Sequence, residues 1–138
     1  MGHYQLLEHT ADMGIEATGT DLGELFVAAA RGLREIVFGD QTNAPGEEEF
    51  PIELAAGDAE ELLVLWLNEV LFLMHDRSVF PTGFQLGDID ALHLRGTVYG
   101  VSNRADLEPV REVKAVTFHR LSVARREDHW HTRVYVDL

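Results

Sequence analysis

Two carboxylates sit near opposite ends of this chain, Asp12 after the segment Leu7-Glu8-His9-Thr10-Ala11 and Asp137 beside the carboxylate of Leu138. If those ends meet in space, three anionic groups converge, and acids that close repel one another unless a cation joins them. An all-oxygen set, with no thiolate and no paired histidines, suits Ca²⁺ or Mg²⁺, whereas zinc usually draws on Cys or His. The set is too small for a closed cage, so water or a partner's group would complete it. Each residue also has an ordinary role. Asp12 can cap backbone amides near Gly14 in an Asp-bracketed turn, and Asp137 can be a solvated charge at a strand end.

Ten of the eleven basic residues are arginine, and Lys114 is the single lysine. A lone amine presents a different geometry to phosphate from a guanidinium, so Lys114 is a candidate for contact with phosphate or with a partner's carboxylate. Its ordinary role is an exposed charge at the start of a strand. His9 and His119 are candidate bases, although a histidine within an alternating strand is more often a hydrogen-bonded structural residue. His75, His93, His129 and His131 are scattered and form no H-x-x-x-H ligand pair. The chain contains no glycine-rich phosphate loop, nucleophile elbow or Cys/His grid, so the case for a self-sufficient enzyme is thin.

These candidates must be positioned by one domain, because 138 residues suffice to bury roughly two-thirds of the unfolded surface without staples. With 46% hydrophobic and 25% charged residues, the composition is that of a soluble globular protein. Absence of cysteine excludes disulfides and thiolate sites, which fits a reducing compartment or a hot environment. A net charge of −13 argues against broad contact with a nucleic-acid backbone and favours a basic protein partner or bound cations. The opening Met-Gly-His-Tyr-Gln has neither the basic region nor the apolar core of a secretory signal, so a cytoplasmic location is expected, with no membrane partner.

His3 to Leu7 and Gly14 to Gly19 read as short strands. Leu22, Leu25, Phe26, Ala29, Leu33, Ile36 and Val37 recur at helical spacing, with Asp21 and Glu24 as a capping pair and Gly39 as the stop. A polar connection over 40–47 precedes a strand at Glu49 to Leu54. Asp58 with Glu61 repeats the capping signature, and the run Leu62 to Met74 is a helix buried nearly all round, too short and too interrupted by Asn68 and Glu69 to span a bilayer. Phe84 to Leu86, Leu92 to Val101, Val113 to Arg125 and Trp130 to Leu138 alternate like antiparallel strands, with a long loop over Gly100 to Pro109. Alternation places Asp137 with His131, Arg133 and Tyr135, opposite Thr132, Val134, Val136 and Leu138. The expected architecture is a single α+β domain over 1–138, with two helices packed on a mixed, mostly antiparallel sheet.

Several segments, in order and nearly end to end, resemble the archease family, the protein cofactors of RtcB-type tRNA-splicing RNA ligases. They are His3-Tyr4 to Asp12 with Gly14-Ile15, the helix Leu25-Phe26 to Leu33, Trp66 to Phe72, Val113 to His119, and Arg133 to Leu138. The resemblance implies an α+β activator, not itself an enzyme, that promotes guanylylation and multiple turnover of the ligase and can broaden its nucleotide use. It also implies a metal site at Asp12, Asp137 and Leu138, with calcium the expected occupant and magnesium or manganese the alternatives, and a functional lysine at Lys114. No direct binding of nucleic acid is expected. Two rival readings are a metal-dependent hydrolase with His9 or His119 as base, and a chaperone-like module whose Leu62 to Met74 helix offers a hydrophobic groove. Burial of that helix discriminates the second.

Overall fold

A computed structural model of the chain describes residues 2–8, 12–40, 48–103 and 106–138. Both helices begin as their sequences dictate. Asp21 is extended and its side chain accepts from the Glu24 N–H at 2.8 Å, while the Glu24 carboxylate accepts from Thr20 N–H at 3.1 Å. Helix α1 then runs Leu22–Phe38 and stops at Gly39, whose φ of 68° few other residues tolerate and whose N–H donates to the Glu35 carbonyl. Asp58 and Glu61 repeat the arrangement before helix α2, Ala59–His75. Such reciprocal caps satisfy amide donors that the first turn would otherwise leave unpaired.

Seven strands surround them: β1 (His3–Glu8), β2 (Asp12–Gly19), β3 (Glu48–Ala55), β4 (Val79–Ile89), β5 (His93–Ser102), β6 (Ala115–Arg126) and β7 (His129–Asp137). The α+β class stands, but the single mixed sheet is corrected. Among the described residues the strands form two sheets, ordered β1-β2-β7-β6 and β3-β5-β4, and every pairing is antiparallel. Alternation tells which face of a strand is apolar, but not which strand lies beside it. β4 also extends well beyond Phe84 to Leu86, because register shifts at Pro81/Gly83 and Leu86/Asp88 break the alternation that would have marked its length.

Each helix touches both sheets, whereas no strand of one sheet packs against a strand of the other among the described residues. Helix α1 lies on β1, β2 and β7, and α2 lies along β6; both also reach β4. Ile15, Val134 and Val136 form the inner face of the larger sheet under the fully buried Leu25, Phe26, Leu33 and Ile36 of α1. Trp66 joins the layers. Its ring is fully buried, meets Phe84 edge-on at 6.1 Å, and donates its indole N–H to the Phe26 carbonyl at 2.9 Å. No helix among the described residues is long and apolar enough to cross a membrane.

Candidate functional site

The ladder of the larger sheet brings the two ends of the chain together. Asp12 on β2 lies directly opposite Asp137 on β7, and Asp137 lies directly opposite Ala115 on β6. Residues opposite each other in an antiparallel pair share a face, with Cβ atoms about 4.5–5.5 Å apart, so both carboxylates occupy one end of the outer face. Asp12 is half-buried and Asp137 exposed. Leu138 follows Asp137 and packs its side chain against the core cluster, which fixes the end of the backbone beside the acidic pair. The turn-capping role for Asp12 is not realised: it is a strand residue with no side-chain hydrogen bond among the described residues. No three His, Cys, Asp or Glu side chains gather within ligating reach among the described residues, so the protein contributes two side-chain carboxylates at this point. Two oxygen donors facing each other across a ladder fit a hard cation bound at about 2.3–2.6 Å, with further positions open.

Lys114 is brought to the same sheet end by a backbone tie: its N–H donates to the Asp137 carbonyl at 2.8 Å. Its side chain is exposed. Helix α2 fixes the residues on either side. The Val113 N–H donates to His75 Nε2 at 3.2 Å, which requires the neutral ring to carry its proton on Nδ1. Two turns earlier on the helix, the Asn68 amide accepts from the Val116 N–H at 3.0 Å and donates to the Val116 carbonyl at 3.3 Å. Lys114 stands at the rim of a groove of about 990 Å³ between α2 and residues 108–114, whose walls include Asn68, Phe72, His75 and Val110. Helix α2 is mostly buried, with Leu65 (38%) and Phe72 (43%) its exposed large apolar residues, and Phe72 is the one that lines this groove.

Further along the outer face lies a polar network that sequence reading missed. Glu16, opposite Arg133 in the ladder, accepts from Arg133 Nη2 at 2.8 Å, sits 3.2 Å from His131 Nε2, and accepts from Gln5 at 3.0 Å. The hydrogen bonds from Arg133 and His131 hold the Glu16 carboxyl below the usual carboxylate range. Between this network and the acidic pair lies Tyr135, with the His119 ring edge-on to it at 6.5 Å. His119 is an exposed residue where β6 leaves its ladder, and His9 lies outside the described residues. The signal for Asn68 was available as the polar break in an apolar helix; the signal for His75 was not, because its partner is a distant backbone amide.

A two-helix, two-sheet α+β protein with paired carboxylates and a lysine at one sheet end can be compared with known families. The sequence profile of the Archease protein family matches residues 4–138, and the chain belongs to that family. The protein archease of Methanothermobacter thermautotrophicus is 33% identical over 141 residues, covering 100% of both chains. The solution structure of Methanobacterium thermoautotrophicum protein 1598 superposes with a TM-score of 0.83 at 33% identity, covering 98% of each chain. A Thermotoga maritima crystal structure, described as an archease and possible chaperone, shares the fold with a TM-score of 0.63 at 23% identity, covering 96% of this chain and 94% of that one.

Proposed function

We propose that this chain is a cytoplasmic, non-catalytic activator of an RtcB-type RNA ligase in tRNA splicing, promoting guanylylation and multiple turnover of the ligase and broadening its nucleotide use. The single observation that carries the reading is the convergence of Asp12, Asp137 and Lys114 at one end of the larger sheet. Asp12, Asp137 and the Leu138 carboxylate would hold a divalent cation, calcium first and magnesium or manganese as alternatives. Bound there, the ion would offer positive charge to phosphate oxygens. The fixed backbone around Lys114 anchors the base of its side chain at the sheet end, from which the flexible amine can reach a partner's charge. Phosphate, or an acidic side chain of the ligase, is the contact expected of Lys114. Like charges at Asp12 and Asp137 are unfavourable in isolation, so their placement opposite each other on one face supports a cation between them.

The test is guanylate labelling of the ligase under multiple turnover, with and without this protein. Stimulation by the unaltered chain, and its loss in Asp137→Ala and Lys114→Ala with the fold retained by circular dichroism, is the expected result. Equal labelling with and without the chain would overturn the reading.

A further inference from the structure

We infer that the outer face of the larger sheet carries a second site, an anion pocket for a dianionic phosphate group, built by Arg120, Arg126 and Arg133 around His131. These residues, with Glu16, wall a cavity of about 260 Å³. That is below the roughly 300–1,000 Å³ of sites for drug-sized molecules, and suits a phosphate with little attached to it. Three of ten arginines converge here in a chain of net charge −13, against the overall sign of the molecule.

The charge balance sets the ligand class. Arg133 is matched by Glu16. Arg120 and Arg126 have no carboxylate partner among the described residues, which leaves two uncompensated guanidinium charges at the pocket. A phosphate monoester or inorganic phosphate carries about two negative charges near neutral pH, whereas a phosphodiester carries one. Forked guanidinium donors match phosphoryl oxygens in geometry as well as charge.

One further observation points to the same place. β6 advances from Thr117 to Ser122 while β7 advances only from Tyr135 to Arg133, so the intervening residues arch out of the ladder. Arg120 sits in that arch at φ 55°, a left-handed conformation that costs an L-residue energy and that marks sites where a side chain is being aimed. In the pocket wall, His131 Nε2 faces the Glu16 carboxylate at 3.2 Å, so the ring and its ion pair form one side of the cavity.

This site is separate from the acidic pair: Arg133 and Asp137 are four residues apart on β7, about 13 Å at roughly 3.3 Å per residue. Its test therefore leaves the ligase reading untouched. The full chain is titrated at constant ionic strength with inorganic phosphate, with adenosine monophosphate, and with dimethyl phosphate as the monoanionic comparison, following arginine Nε and histidine ring resonances. Phosphate is expected to shift Arg133 and His131 saturably. Dimethyl phosphate is expected to bind about tenfold or more weakly, and the Arg120→Gln/Arg126→Gln double variant to lose about tenfold in affinity. Tighter binding of adenosine monophosphate than of phosphate would assign the pocket to a nucleotide's terminal phosphate; equal binding would assign it to phosphate itself. Absence of a saturable shift, equal binding of dimethyl phosphate, or undiminished binding by the folded double variant would each overturn the inference.

Discussion

The side-chain amide of Asn68 pairs with both backbone polar groups of Val116, accepting from its N–H at 3.0 Å and donating to its carbonyl at 3.3 Å. β6 is an edge of its sheet, and α2 thereby supplies a substitute for the strand that is missing there. Removing the amide leaves a partly buried N–H and carbonyl unpaired, which costs about 1–3 kcal/mol. Asn68→Ala should therefore lower the urea midpoint with an unchanged slope. Because Val116 lies two residues from Lys114, the variant should also weaken ligase stimulation at temperatures where it remains folded. Normal stability would show that the amide is solvated and not clamping.

Helix α1 packs tightly on the sheet at Gly32, where an added Cβ would lie 2.8 Å from Ile15 Cγ2 and 3.2 Å from the Tyr4 ring. In an open helix position, Gly→Ala gains about 1 kcal/mol. Here overpacking at a fully buried isoleucine costs about 1–3 kcal/mol, and the second effect wins. Gly32→Ala should lower Tm by several degrees, measurable by calorimetry.

Both helices were legible because their signals are local: Asp21 with Glu24, and Asp58 with Glu61, announce the first turns within four residues. The outer-face placement of Asp137, Tyr135, Arg133 and His131 was legible from alternation alone. Partnership was not. Nothing in Glu16 points to Arg133, more than a hundred residues away, and only the β2–β7 register brings them together. Division into two sheets escaped for the same reason, since β3 and β5 pair across the whole of α2. Asp12 and Asp137 lie near opposite ends of the sequence, and the β2–β7 ladder is what sets them directly opposite each other.

Glu16 gives the larger sheet an acid-sensitive contact. Its folded carboxyl titrates below the ordinary value of 4.5, because Arg133 and His131 donate to the ionised form. A depressed carboxylate contributes stability that is present above the unfolded pKa and is lost as pH falls through the folded one. Stability should thus decline below about pH 4.5. In Glu16→Gln that part of the decline should be absent, with stability near neutrality reduced. Parallel acid limbs for the two proteins in chemical denaturation would show that the pairing is too solvated to matter.

Asp12 and Asp137 face each other with like charge, so without metal each should destabilise the ladder that the other helps to build. Two consequences separate a cation site from a pair of solvated charges. In metal-free buffer, Asp12→Asn should match or exceed the parent in Tm, because repulsion is relieved. With calcium added, the parent should rise in Tm with the logarithm of free ion, as binding to the folded state alone requires, while Asp12→Asn and Asp137→Asn should stay flat. Lys114→Gln provides the control: its exposed amine lies on the same sheet end but is no ligand, so the calcium-dependent rise should persist. A rise of equal size in parent and aspartate variants would locate any bound calcium elsewhere and remove the ion from the proposed activating surface.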